Sequence, residues 1–298
     1  MKTKISAAVL TYNEEENIEG CLESVKWADE IVLVDEKSSD KTVEIAKKYT
    51  KKVFLVDHDP MFHKNKQIAL DKCTGNWILQ IDADEKVTVE LQKEILSIMG
   101  KESFFSGYKV PRKSKIFGKY LEHTGWYPDY QIKFFKNGKA KYLCETVHEQ
   151  LKVDGEIGTL ANNLIHNHYN SVAQFIDRLN RYTTNDAEYL LGKKENILWV
   201  DALRFPADEF LKRFFYLEGY KDGLHGLVLS LLQAFSRLIV FAKVWEKQGF
   251  REYNSDKFRD EVMEYSKKVR HDWNYWIAAT ETDFVRKTVY KLKNKLFR

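Results

Sequence analysis

Cysteine is scarce: Cys21, Cys73 and Cys144 are the only three in 298 residues. They are odd in number and far apart, so they form neither a zinc spacing nor a disulfide framework, and a reducing, cytoplasmic setting fits. No glycine-rich loop follows an apolar run, which argues against a dinucleotide fold or a P-loop. Met1-Lys2-Thr3-Lys4 lacks the following apolar run of a signal peptide. No uninterrupted apolar stretch reaches the ~18 residues of a spanning helix. The most apolar stretch, Leu224 to Trp245, is broken by His225, Gln233, Arg237 and Lys243. An arginine at the bilayer centre costs about 2.5–3.5 kcal/mol. This stretch is therefore expected to pack as a helix against the catalytic part, with a place in the membrane interface as the alternative. A net charge of +4 is too weak to imply a nucleic acid partner, and 44% apolar with 31% charged residues describes a globular chain. The charge is uneven: Phe284 to Arg298 carries Arg286, Lys287, Lys291, Lys293, Lys295 and Arg298 and no acid. That tail is a candidate contact with an anionic membrane surface.

The segment Trp77-Ile78-Leu79-Gln80-Ile81-Asp82-Ala83-Asp84-Glu85 organises what is there. An apolar run ends abruptly in three carboxylates, as a buried strand leaving the core does. Residues two apart on a strand share a face, so Asp82 and Asp84 converge if the extension persists. Converging carboxylates repel unless one is protonated or a cation lies between them. Mg²⁺ or Mn²⁺, hard ions that join carboxylates to substrate phosphates, suit such a pair.

Upstream, Ile5–Leu10, Ile31–Val34 and Val53–Val56 read as strands. Helical spacing recurs at Ile18, Cys21, Leu22 and Val25, at Val43, Ala46 and Tyr49, and from Lys64 to Cys73. Asn13 with Glu16 has capping-box spacing, and Thr88 is placed to cap the helix after the acidic strand end. Alternating strands and helices predict an α/β fold: a mostly parallel twisted sheet with helices on both faces. Ligands of such sheets bind beyond the carboxyl ends of the strands. Thr11-Tyr12-Asn13-Glu14, Asp35 and Asp82-Ala83-Asp84 all fall there, with Lys64 or Lys66 available to meet phosphate charge.

These residues resemble the inverting family 2 glycosyltransferases of GT-A fold, the fold of nucleotide-diphospho-sugar transferases. The likeness rests on Leu10-Thr11-Tyr12-Asn13-Glu14, Val34-Asp35 with Ser38, Asp40 and Thr42, His63-Lys64-Asn65 with Ala69, and Asp82-Ala83-Asp84-Glu85. It implies that Thr11, Tyr12, Glu14 and Asp35 line a uridine and ribose pocket and that Lys64 stands near the diphosphate. Asp82 would sit by the ribose and metal, and Asp84 would be the direct ligand of Mg²⁺ or Mn²⁺.

After Met99 the pattern changes. Tyr108–Val110 and Ile132–Phe135 read as strands, Asn137-Gly138 as a hairpin turn, and Ile165–His168 as a last strand. Transfer of a sugar to an acceptor hydroxyl needs a base across the sugar from the metal, and Glu149 and Asp129 are the candidates, Glu149 first. His148 is a candidate contact for the diphosphate or the metal. His166 and His168 share a strand face, but no carboxylate or cysteine near them in sequence completes a metal set, so they are read as structural or acceptor-facing.

Trp126-Tyr127-Pro128-Asp129 with Gln131, Lys133 and Phe134, then Val147-His148-Glu149, resembles the branch containing the lipopolysaccharide inner-core β-1,4-glucosyltransferases. Arg is common there where Lys133 stands. Gly219-Tyr220-Lys221-Asp222-Gly223 with Gly226-Leu227, and Phe241–Trp245, extend the resemblance to about residue 248. It implies transfer of a hexose, glucose favoured, from a UDP-sugar to a hydroxyl of a lipopolysaccharide, lipooligosaccharide or similar cell-surface glycan. The setting would be the cytoplasm, peripheral on the inner face of the membrane. A polyprenyl phosphate, capsular or protein acceptor is the alternative within the class. A nucleotidyltransferase or a non-catalytic sugar-nucleotide binding protein is the alternative outside it. The expected division is a catalytic domain over 1–170, with a nucleotide-sugar half to 100 and an acceptor half from 101, and a helical region over 171–298. Ser171 is expected to cap its first helix, with Phe175, Leu179 and Tyr182 on one stripe.

Overall fold

Strands form where apolar runs are buried on both sides, as Ile5–Val9, Ile31–Val34 and Trp77–Ile81 are. The computed structural model describes residues 3–59, 61–101, 103–144, 150–193 and 197–296. In chain order the first half runs β1 (Ile5–Thr11), α1 (Ile18–Val25), β2 (Glu30–Asp35), α2 (Thr42–Ala46), β3 (Val53–Leu55), α3 (Phe62–Asp71), β4 (Trp77–Asp82), β5 (Glu85–Val87) and α4 (Val89–Met99). There follow β6 (Gly107–Ile116), β7 (Lys119–Tyr120), β8 (Asp129–Lys136), β9 (Ala140–Lys141), β10 (Lys152–Val153), β11 (Ile157–Thr159) and β12 (Leu164–Tyr169). The last part is helical: α5 (Val172–Gly192), α6 (Asp201–Leu211), α7 (Leu224–Lys247), α8 (Phe258–Thr280) and α9 (Phe284–Leu296).

Two compact units result, Met1–Ile116 with Tyr127–His168, and Phe117–Trp126 with Tyr169–Arg298. The first unit is built on a mixed sheet of order β3-β2-β1-β4-β8-β6-β12-β5. Strands β3, β2, β1 and β4 pair in parallel, in keeping with their helical crossovers. Beyond β4, the pairs β4 with β8, β8 with β6, and β12 with β5 are antiparallel, while β11 joins β6 in parallel. Alternate side chains of the parallel strands serve two cores. Ile5, Ala7, Val9, Leu33, Leu79 and Ile81 pack with Ile18, Leu22, Leu91 and Ile95 of α1 and α4. Ala8, Val32, Val34 and Ile78 pack with Ala69 and Leu70 of α3 on the other face.

Local signals met three departures. Asn13 caps no helix: it sits at φ +54°, its Oδ1 accepts from Ser39 N at 2.8 Å, and Asn17 precedes α1 instead. Asn137-Gly138 makes a turn, with Gly138 at φ +77°, but β9 then pairs with β10 rather than closing a hairpin on β8. Thr88 and Ser171 cap α4 and α5 as expected, accepting from Leu91 N and Gln174 N. On α5, however, the buried stripe continues from Phe175 and Leu179 through Thr183 and Ala187, and Tyr182 is 49% exposed.

In the second unit, Gly226 lets the first turn of α7 approach the Gly219 carbonyl so closely that an added Cβ would lie 1.8 Å from its oxygen. Asp222 in the same turn is buried and accepts from His123 N at 3.0 Å. Among the described residues α7 is the one helix long and apolar enough to cross a membrane by length and composition. Only one side of it is buried, through Leu229, Ala234, Val240 and Val244, while Leu224, Leu231, Phe235 and Trp245 are exposed. The expected packed-core helix is thus half packed.

At the amino ends of the parallel strands, Glu30 accepts from Thr74 N at 2.8 Å and Thr74 Oγ1 at 2.9 Å, and pairs with Ser6 and Lys52. Burial alone would raise its pKa, but Lys52, Ser6 and Thr74 outweigh it and lower the value to about 2. A depressed folded value means stabilisation that is full above the ordinary glutamate value of 4.5 and lost as pH falls through about 2. Glu30→Gln is expected to destabilise the fold by about 1–3 kcal/mol at neutral pH. The gap between the two proteins should close below pH 4.5, as followed by thermal melts across a pH series.

Candidate active site

The carboxyl ends of β1, β2 and β4 lie side by side because the parallel register pairs Thr11 with Asp35 and Leu10 with Asp82. Thr11 Oγ1 donates to Asp35 Oδ2 at 2.7 Å, and Ser38 donates to both Asp35 oxygens, from N at 2.8 Å and Oγ at 2.6 Å. Asp35 is thereby held rigid and buried. Glu14 lies in the turn before α1: its carbonyl accepts from Ile18 N at 2.8 Å, its Oε2 accepts from Asn17 Nδ2 at 2.8 Å, and its N–H donates to Thr42 Oγ1 at 2.8 Å. Tyr12 is 48% exposed and stacks on His58, ring centroids 5.0 Å apart. Behind that pair, buried Glu36 meets His58 Nδ1 at 2.6 Å and accepts from Asn65 Nδ2 at 2.7 Å.

The acidic end of β4 is neutralised from two sides. Asp82 Oδ1 meets Lys66 Nζ at 2.6 Å, and Oδ2 meets Lys133 Nζ at 2.7 Å. Lys133, itself buried, reaches on to Glu85 Oε2 at 2.8 Å. Glu85 is fully buried, accepts from Asp82 N at 2.9 Å, and meets Arg112 Nη1 at 3.1 Å. Arg112 also pairs with Asp129, Nε to Oδ2 at 2.8 Å, and Gln131 Nε2 donates to Asp129 Oδ1 at 2.8 Å. Three cations and three carboxylates alternate in one ladder. Burial pushes the Asp82 pKa up, but Lys133 and Lys66 hold it well below the usual carboxylate range. Burial likewise opposes ionisation of Asp129, and Arg112 and Gln131 overcome it and lower its pKa.

Asp84 stands outside the ladder. After it the chain enters β5, which pairs with β12 so that His166 faces Glu85 in the register, and Asn167 N donates to the Asp84 carbonyl at 2.9 Å. His166 Nε2 then lies 3.4 Å from Asp84 Oδ2 and 3.1 Å from His168 Nδ1, while its Nδ1 lies 3.3 Å from Ser114 Oγ. The carboxylate that sequence proximity did not offer to His166 is Asp84, brought by strand pairing. Among the described residues no three His, Cys, Asp or Glu side chains converge as a complete metal cage. The oxygen of Asp84 and the imidazole nitrogen of His166 make a partial donor set. The carboxylate suits Mg²⁺ or Mn²⁺, ions that normally take several further oxygen ligands from water and substrate phosphates, and the imidazole is the less usual donor for such hard ions. The second imidazole nitrogen of His166, facing Ser114, is placed to orient the ring.

Other expected residues fall differently. Lys64 is exposed and paired with Asp59 at 3.0 Å, whereas Lys66 is the lysine that reaches the acidic strand end. His148 and Glu149 lie outside the described residues. Sequence reading missed Glu36, Glu85, Arg112 and the pairing of Lys133. Of these only Glu85 carried a signal, its place in the acidic run. The thiol of Cys21 is raised by burial first and then by Glu85, Asp84 and Asp82, so beside these carboxylates it is no nucleophile.

Residues 6–151 match the model of glycosyl transferase family 2. An uncharacterized glycosyltransferase of Rickettsia typhi, RT0209, is 30% identical over 270 residues, covering 82% of this chain and 87% of its own. The chain belongs to glycosyltransferase family 2, and its mixed α/β sheet is of the GT-A class. The lipopolysaccharide core biosynthesis glycosyltransferase LpsC of Rhizobium meliloti is 24% identical over 261 residues, covering 84% of this chain and 95% of its own. A solved structure of Staphylococcus aureus TarS 1-349 in complex with UDP aligns with a TM-score of 0.43 at 16% identity, over 85% of this chain and 94% of that one.

Removing the Lys133 ammonium would leave Asp82 and buried Glu85 short of a counter-charge. Lys133→Met is expected to cost about 3–5 kcal/mol of stability, read by denaturant melts, and Lys133→Arg should restore most of it.

Proposed function

We propose that this protein is an inverting, metal-dependent hexosyltransferase that moves a sugar, glucose favoured, from a UDP-sugar to a hydroxyl of a lipopolysaccharide or lipooligosaccharide core. The observation that carries the reading is the meeting of Asp84 and His166 at the strand edge that also holds Thr11, Asp35 and Asp82. The name of LpsC supports the acceptor class. The aromatic face of Tyr12 and the rigid Thr11–Asp35 pair suit a flat base and a ribose. Asp84 and His166 would hold the divalent ion, which supplies charge stabilisation for the departing diphosphate when bound. Lys66, free to exchange Asp82 for phosphate, adds positive charge to the same group.

In the reaction the acceptor oxygen forms a bond to the anomeric carbon from the face opposite the diphosphate. The bond from that carbon to the phosphate oxygen breaks, and UDP leaves with the electron pair. The acceptor's proton passes to a carboxylate. Asp129, clamped by Arg112 and held acidic, is a poor acceptor for it, so we assign the base to Glu149.

Calorimetric titration with UDP tests the donor site. Binding is expected with Mn²⁺ present, to weaken at least tenfold in EDTA, and to lose its metal dependence in Asp84→Ala. No UDP binding under any of these conditions would sink the reading. The base assignment has its own check. Glu149→Gln should bind UDP as the native protein does and lose roughly 10²–10⁴ in transfer rate, whereas normal turnover would overturn it.

A further inference from the structure

An amphipathic helix ordinarily turns its apolar stripe inward. Helix α9 does the reverse. Asp283 Oδ1 accepts from Arg286 N at 2.8 Å and starts the helix, which then lies along α8. The residues of α9 that α8 and its surroundings partly cover are Lys287 and Tyr290. Val285, Val289 and Leu292, spaced four and three apart, form one stripe half a turn away from them. They are 68%, 42% and 56% exposed, and neighbouring Phe284 is 80% exposed. Leu296 continues the same spacing in the sequence. Arg286 and Lys293 flank the stripe on one side, and Lys291 lies on the other. No acidic residue occurs from Phe284 onward.

We propose that α9 is a membrane-docking helix that lies flat on an anionic phospholipid surface, with Val285, Val289 and Leu292 in the acyl boundary and its flanking lysines and arginine at the headgroups. A planar bilayer offers both parts of the complement at once, hydrocarbon below and negative charge beside it. A second copy of this face would bring like charges together. A nucleic acid would engage the cations and leave the apolar stripe wet.

The test is co-sedimentation of the full chain with phosphatidylcholine vesicles containing phosphatidylglycerol, against pure phosphatidylcholine vesicles. Binding to the anionic vesicles alone, weakened by salt, is expected. Each of Arg286→Gln, Lys291→Gln and Lys293→Gln should weaken it roughly fivefold, about 100-fold together. The triple variant Val285→Ser, Val289→Ser, Leu292→Ser keeps every charge and should also lose binding. All these positions are exposed, so circular dichroism melts should match the native protein. Equal binding to neutral vesicles, or undiminished binding by both triple variants, would overturn the proposal. So would loss of binding in Phe235→Ser on α7 with α9 variants unaffected. A native dimer that the serine variant dissolves would assign the stripe to a second copy instead.

Discussion

Lys133 is the contact on which the acidic end of β4 depends. Three carboxylates within four positions cannot sit at the mouth of a buried strand without counter-charge, since desolvation disfavours each ion. The ammonium of Lys133, between Asp82 Oδ2 at 2.7 Å and Glu85 Oε2 at 2.8 Å, answers two of them. It reaches both because β8 runs antiparallel beside β4, in a register that pairs Leu79 with Phe134. Arg112 and Lys66 complete the neutralisation, and Asp84 has the imidazole of His166 as its neighbour.

That division of labour separates the two aspartates of one short motif. Asp82 is fixed by lysines on both oxygens and belongs to the scaffold of the free protein. Asp84, one residue beyond Ala83, points into a different neighbourhood because the chain passes at once into β5 and pairs with β12. Asp129 provides the same lesson from the acceptor side. Its sequence setting suggested a base, and the structure adds that it is paired with Arg112.

The two units differ in how they spend apolar surface. In the first, the central parallel strands bury apolar side chains on both faces. In the second, α7 and α9 each keep an apolar side in solvent. Exposed apolar stripes on helices are costly to maintain and point to a surface that covers them. For α9 the flanking cations specify its chemistry.

What the sequence determined by itself is local. Runs such as Ile5–Leu10 and Trp77–Ile81 announce buried strands, and the helical spacing between them dictates parallel crossovers. Parallel strands then bring Thr11, Asp35 and Asp82 to one edge without further information. Thr88 and Ser171 announce their helices because a cap acts on atoms three residues away. What only the tertiary structure decided is non-local. Antiparallel pairing of β12 with β5 carries His166 to Asp84 across some eighty residues of chain. The reach of Lys133, the choice of Lys66 over Lys64 and the outward turn of the α9 stripe are of the same kind. A side chain's type and spacing fix its face on an element, but its partner depends on which distant element packs there, and no short-range pattern encodes that.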